Sequence, residues 1–157
     1  MDERKRISIV VPCYNEEANV RPLAEAVRKE FAETEILKKY GYELIFIDND
    51  SQDRTREVIR GLCADDREHI KAIFNAKNFG QFNSPYYAML QAGGDAVMLM
   101  AADFQDPPEL IEKFVRGWEE GYKIVIGVKE HSTDGKLLYA FKCLIHNQHR
   151  LIERPRW

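Results

Sequence analysis

The stretch Ile7-Ser-Ile-Val-Val-Pro-Cys-Tyr-Asn-Glu-Glu17 decides the fold. Its apolar residues are mostly β-branched and run on with almost no polar alternation. That pattern suits a strand buried on both faces, as in a parallel sheet, and Pro12 closes it. Asn15 then offers a helix N-cap, and Glu16 and Glu17 occupy a first turn where the helix dipole favours negative charge. From Val20 towards Leu37, the positions Val20, Leu23, Ala24, Val27 and Phe31 recur at intervals of three and four. They form one apolar helical stripe.

The same alternation continues along the chain. Gly41 breaks the helix, and Glu43-Leu-Ile-Phe-Ile-Asp48 reads as a second strand. Asp53 to Leu62 is a short amphipathic helix, and Ile70-Lys-Ala-Ile-Phe74 a third strand. Ser84-Pro85 has the cap and first-turn proline of a new helix. Asp95 to Ala102 reads as a fourth strand, and Asp106-Pro-Pro-Glu109 as a capped helix start. Lys123-Ile-Val-Ile-Gly127 is a candidate fifth strand, and Leu137 to about Leu151 a last helix. Strands separated by helices imply right-handed βαβ crossovers and a mostly parallel sheet flanked by helices.

Composition narrows the classes. A chain of 157 residues with 45% hydrophobic content suits a single domain with one core. Lys and Arg number 23 against 26 Asp and Glu, a formal charge of -3, so a dedicated nucleic-acid-binding face is not expected. No apolar run approaches the roughly 18–20 residues that cross a bilayer. The charged start, Met-Asp-Glu-Arg-Lys-Arg, leads into too short an apolar run for a secretory signal. Cys13, Cys63 and Cys143 lie far apart without metal-site spacing, which points to a reduced, cytoplasmic setting. The histidines at 69, 131, 146 and 149 read as surface residues, and Cys13 as buried filler.

In parallel sheets, ligands bind outside the carboxyl ends of the strands. Four polar clusters fall there: Tyr14-Asn15-Glu16, Asp48-Asn49-Asp50, Lys77-Asn78 and Asp103-Phe-Gln-Asp106. Gly-x-Gly-x-x-Gly, the Walker Gly-x4-Gly-Lys-Ser/Thr and His-Glu-x-x-His are all absent from the sequence. A dinucleotide dehydrogenase and a P-loop NTPase are therefore not expected. A carboxylate-rich edge would repel a diphosphate unless a hard divalent cation lay between them. Asp103 and Gln105 are two apart, so in extended backbone both point one way. Each residue also has a plainer role open to it. Asp103 could cap a turn, Glu16 could favour a helix start and Lys77 could be an ordinary solvated lysine. Asp50, Asp53 and Asp106 are read as turn or cap residues, and Tyr86, Tyr87 and Trp118 as helix packing.

Val10-Val-Pro-Cys-Tyr-Asn-Glu-Glu17, Ile47-Asp-Asn-Asp-Ser-Gln-Asp-Arg-Thr55, Asn75-Ala-Lys-Asn-Phe-Gly-Gln81 and Ala102-Asp-Phe-Gln-Asp-Pro-Pro-Glu109 resemble the ordered motifs of glycosyltransferase family 2. The branch they most resemble is the polyprenyl- and dolichyl-phosphate sugar transferases, and Ser132-Thr-Asp-Gly-Lys136 is similar to a segment of bactoprenol glucosyltransferases. The likeness spans roughly Ile7 to Asn147, so one incomplete donor-binding domain over 1–157 is expected. The resemblance implies a Rossmann-like GT-A fold holding a UDP- or GDP-sugar, with glycosyl transfer to a polyprenyl phosphate. It further implies that Pro12, Tyr14 and Glu16 line the base and ribose pocket and that Asp48 contacts the base. It places Lys77 near the nucleotide, where the family often has Arg, and Asp103 with Gln105 on Mg²⁺ or Mn²⁺.

Two departures from the family pattern stand out. Ala101 replaces the first Asp of Asp-x-Asp, and the family's acceptor-facing acid would fall beyond Trp157. The catalytic acid is thus unassigned, and the chain reads as the donor half of a longer enzyme acting at the inner face of a membrane. The alternatives are a vestigial nucleotide-sugar-binding module and, less favoured, a nucleotidyltransferase. Uncovered apolar sheet surface would promote self-association.

Overall fold

A computed structural model describes residues 4–127. The last helix expected at Leu137 to Leu151, the Ser132–Lys136 segment, Cys143 and the histidines at 131, 146 and 149 lie outside the described residues. The chain divides into two compact units, Met1–Val125 and Ile126–Trp157. All the elements below belong to the first.

Strand β1 (Arg6–Cys13) leads to α1 (Val20–Glu33), a 3₁₀ turn at Leu37–Lys39 and β2 (Gly41–Asp48). Then follow α2 (Thr55–Asp65), β3 (Ile70–Phe74), α3 (Gly80–Leu90), β4 (Ala96–Leu99) and α4 (Leu110–Glu119). The four strands form one parallel sheet in the order β3-β2-β1-β4. Register sets Ile9 opposite Leu44 on one side and Met98 on the other.

The unbroken apolar run of β1 is explained by burial on both faces. Ile7, Ile9, Val11 and Cys13 join Val20, Leu23, Val27, Ile59 and Ile111 in one cluster beneath α1, α2 and α4. Val10, Ile45 and Ile47 face the other way, under Ala88 of α3. All five stripe positions expected for α1 are buried. Each fully buried aliphatic side chain stabilises by about 1.5–3 kcal/mol relative to exposure.

Away from the carboxyl edge, the α3 face is polar. Ser8 and Glu43 are register partners, both wholly buried. Ser8 Oγ donates to Glu43 Oε1 at 2.5 Å, the Gly93 amide donates to the same oxygen at 2.7 Å, and Lys71 pairs with Oε2. The Gly94 amide donates to Ser8 Oγ at 2.9 Å. This network fixes the α3–β4 connection to the sheet and leaves no buried charge unpaired.

Several boundaries differ from expectation for identifiable reasons. Helix α1 starts at Val20 rather than after Asn15, because the Asn15 side chain accepts from the Gln52 amide in the next loop. Ser84 and Pro85 lie inside α3, not at its start; Ser84 Oγ accepts from Asn75 Nδ2 and is buried. Asp106 accepts from the Ala101 amide at 3.2 Å, closing its own loop, and α4 begins only at Leu110. No ladder forms at residues 123–127, where Ile124 and Val125 are exposed. Apolar content marked that segment as a strand, but a strand also needs a partner. Trp118 packs near Tyr40, as expected of helix packing, whereas Tyr86 and Tyr87 are exposed.

A Cβ on Gly94 would lie 2.6 Å from Ser8 Oγ and 2.8 Å from the Arg6 carbonyl oxygen. Gly94→Ala is therefore expected to destabilise by about 1–3 kcal/mol in urea unfolding. Burial alone would raise the Glu43 pKa, but bonds from Lys71, Ser8 and Gly93 and the Lys71 charge hold it below its ordinary 4.5. A depressed folded pKa gives stability present above pH 4.5 that is lost as pH falls through the folded value. Stability measured between about pH 5 and 3 should thus fall more steeply in the unsubstituted chain than in Glu43→Gln.

Candidate functional site

The parallel sheet brings the ends of β1, β2, β3 and β4 to one edge, and with them all four polar clusters. The loops after β1 and β2 are joined by reciprocal bonds. The Asn15, Glu16 and Glu17 amides donate to Ser51 Oγ, Thr55 Oγ1 and Asp53 Oδ2 at 2.9, 2.7 and 3.2 Å. In return, the Gln52 and Arg54 amides donate to Asn15 Oδ1 and Glu17 Oε2, both at 2.8 Å. Asp53 Oδ1 also accepts from the Thr55 amide at 2.9 Å, a turn contact just before α2, whose N-cap residue is Arg54.

Among the described residues, the non-glycine residues with left-handed backbone are Asn15 (φ 59°), Asp50 (φ 70°) and Phe104 (φ 60°). Each follows a strand of this edge. Such conformations cost on the order of 1–3 kcal/mol and persist where surrounding contacts impose them.

Asp48 stands at the tip of β2, as expected, but its carboxylate is wholly buried. It accepts from the Asp50 and Ser51 amides at 3.2 and 3.3 Å and from Arg56 Nε at 2.5 Å. Arg56 also lies 3.6 Å from Asp50 and donates to the Asn75 carbonyl. One ion pair, buried at Asp48 and half-buried at Arg56, therefore holds the ends of β2 and β3 together. Cys13, packed behind these loops, has its thiol pushed far up, first by burial and then by the negative charge of Glu16, Asp48 and Asp53. It remains a thiol, unfit as a nucleophile. Burial alone would also raise the Asp53 pKa, but bonds from Thr55 and the Glu17 amide hold it below its ordinary value.

The remaining sequence-predicted residues are distributed as follows. Pro12 is half-buried at the end of β1, and Tyr14 beyond it is exposed. Glu16 is half-buried, with Oε2 accepting from Asn19 Nδ2 at 2.6 Å. Lys77 is exposed, its Nζ 5.2 Å from the Phe79 ring centre. Asp103 and Gln105 come together through a turn, not the extended backbone anticipated. The Gln105 amide donates to Asp103 Oδ1 at 3.1 Å and its Nε2 to Oδ2 at 2.5 Å.

Among the described residues, no cluster of three or more His, Cys, Asp or Glu could hold a metal. The exposed pair offers one carboxylate and one amide oxygen. That donor set suits a hard cation which takes its other ligands from phosphate and water, as Mg²⁺ does.

Sequence reasoning placed Asn49 in a polar cluster and Ser51 and Thr55 in a family motif without giving any of them a role, and it missed Arg56. Small polar residues beside a strand tip look like loop filler until the partner loops are known. It also missed a cavity of about 460 Å³ beside β3, bordered by Phe74, Phe79 and Tyr87.

The family model for glycosyl transferase family 2 matches residues 8–154. The chain belongs to that family. A bactoprenol glucosyl transferase of Shigella phage SfV is 34% identical over 152 residues, 96% of this chain and 48% of its own. An undecaprenyl-phosphate 4-deoxy-4-formamido-L-arabinose transferase of Shewanella sediminis is 36% identical over 131 residues, 83% of this chain and 38% of its own. The chain thus spans less than half the length of these relatives.

The fold is the GT-A fold. A mannosyltransferase from Pyrobaculum calidifontis, solved with GDP-Man and Mn²⁺, superposes with TM-score 0.60 at 19% identity, covering 73% of this chain and 32% of its own. S. aureus TarS 1-349 with UDP-GlcNAc gives 0.57 at 21% identity, covering 83% and 37%.

Removing Arg56 would leave the Asp48 charge buried and unpaired. Arg56→Ala should cost about 3–5 kcal/mol in chemical denaturation at neutral pH. A cost near zero would mean that water or another cation replaces the guanidinium.

Proposed function

We propose that this chain is the donor-binding part of a glycosyltransferase that moves a sugar from UDP or GDP to a polyprenyl phosphate. The observation that supports the proposal is that the turns carrying Tyr14, Lys77, Asp103 and Gln105 all lie at the carboxyl ends of the strands on one sheet edge, each held by side-chain-to-backbone bonds. The polyprenyl acceptor is favoured by the undecaprenyl-phosphate and bactoprenol transferase activities of the family relatives.

In this scheme Pro12, Tyr14 and Glu16 line the base and ribose pocket. Asp48 has its oxygens committed to its own loop and Arg56, so it shapes the pocket through the turn it holds. Lys77 meets the diphosphate with its exposed ammonium, a compact charge on a flexible stem. Asp103 and Gln105 would hold Mg²⁺ or Mn²⁺, which when bound neutralises charge on a leaving diphosphate. An acceptor phosphate oxygen attacks the anomeric carbon as the bond from that carbon to the diphosphate breaks. A phosphate acceptor is ionised near pH 7, so the chain need not supply a strong general base. Its own contribution is alignment and electrostatic preorganisation.

A polyprenyl-phosphate acceptor would set the reaction at a membrane, and the cytoplasmic face is the one we propose. Among the described residues, no helix is long and apolar enough to cross one. A second possibility, a module that binds the nucleotide without turnover, is favoured by Ala101 at the position of the first Asp of Asp-x-Asp.

Calorimetric titration with UDP and GDP, with and without Mn²⁺, tests the donor site. Binding of one nucleotide should strengthen with metal, and Asp103→Ala should weaken the metal-dependent part at least about tenfold, or about 1.4 kcal/mol. Unchanged binding in Asp103→Ala would sink the assignment. Transfer to a short-chain polyprenyl phosphate by the chain in its natural length then separates the enzyme from the inert module.

A further inference from the structure

We infer that Asn49 is a positioning residue: it clamps the β3–α3 loop so that Lys77 is held over the donor site. This rests on the proposed function for its ligand, but the clamp itself stands on geometry. Asn49 is buried at the tip of β2, and every bonding position of its side-chain amide points into one loop. Oδ1 accepts from Asn75 Nδ2 at 3.1 Å and from the Phe79 amide at 2.9 Å. Nδ2 donates to Asn78 Oδ1 at 2.8 Å and to the Gly80 carbonyl at 3.3 Å. Two acceptor and two donor bonds are the full capacity of this amide.

The loop so held starts at the end of β3 and finishes at Gly80, whose φ of 85° turns the chain into α3. Asn75 extends the clamp by donating to the buried Ser84 Oγ at 2.9 Å, and Asn78 Oδ1 accepts from the Gly80 amide at 2.8 Å. Lys77 lies in the middle of this loop. Its ammonium lies 5.2 Å from the centre of the Phe79 ring, and the Phe79 amide is one of the groups that Asn49 grips. The ammonium therefore owes its place to the backbone, and the backbone of the loop owes its shape to Asn49. A preordered loop spares the ligand the entropy of ordering it, which is how such a residue raises affinity without contact.

The chemistry also predicts a graded response to substitution. Aspartate at this position keeps both acceptor bonds but loses both donor bonds, and it sets a carboxylate against the Asn78 and Gly80 oxygens. Alanine loses all four.

The test is a double-mutant cycle on metal-assisted UDP and GDP binding, with hydrogen exchange read on the same chains. In the native background Asn49→Ala should weaken nucleotide binding about tenfold, and Asn49→Asp by less. In a Lys77→Ala background, Asn49→Ala should change affinity by no more than about twofold, because the group it positions is gone. Exchange protection of the Phe79 amide should fall in Asn49→Ala while amides of β1 and β2 keep theirs. Additive effects of the two substitutions, or unchanged protection at Phe79, would overturn the inference. Failure of the unsubstituted chain to bind either nucleotide would count against the proposed function and against ligand positioning. The exchange result would still decide the clamp.

Discussion

The buried ion pair between Asp48 and Arg56 is the constraint on which the candidate site depends. Asp48 ends a central strand with its charge inside the protein, and Arg56 on the next helix meets it at 2.5 Å. With Asp48 fully buried and Arg56 half-buried, the pair gains little net stability, yet removing the arginine leaves a buried carboxylate without its cation. Its effect is therefore to fix geometry. Through Arg56 the tip of β2 reaches the Asn75 carbonyl at the end of β3, and through Asp48 it shapes the turn in which Asp50 is left-handed. The loop after β1 is then bonded to the loop after β2 in both directions. Three of the four strand ends are thereby one connected polar structure, preset before any ligand arrives.

The fourth strand end is arranged differently. Asp103 and Gln105 are exposed and bonded mainly to each other around Phe104. The Asp103 oxygens accept from Gln105 N–H groups at the exposed surface, and such bonds can be exchanged for a cation at small cost. The donor edge thus combines a rigid wall, from β1 to β3, with a pair of ligating groups that remain available. The face under α1, α2 and α4 is packed, while on the α3 face the core is smaller and Val97 and Leu99 of β4 stay exposed; the buried polar groups lie at the carboxyl edge, in the Ser8–Glu43–Lys71 network and at Ser84.

Much of this was legible in the sequence. The continuous β-branched run of β1 and the three-and-four spacing of α1 report burial directly, and those elements agree with the structure closely. The polar strand ends were also legible, because a parallel sheet must put them on one edge. What could not be read was how polar side chains pair across loops. Asn15 serves as an acceptor for the neighbouring loop instead of a helix cap, and Ser84 serves Asn75 instead of opening α3. In both cases a local capping signal lost to a partner distant in sequence. Asn49 was marked only as part of a polar strand end and Arg56 not at all, since their roles lie in what faces them. The segment at 123–127 shows the converse error, an apolar run without a ladder partner among the described residues.

The most direct test of the central claim, a preset nucleotide edge at the strand ends, is an NMR titration of the ¹⁵N-labelled chain with UDP and with GDP in the presence of Mg²⁺. Shifts confined to the amides of residues 14–16, 49–51, 76–80 and 101–106, with the core strands unmoved, are the predicted result. Shifts centred elsewhere, or none with either nucleotide, would contradict it.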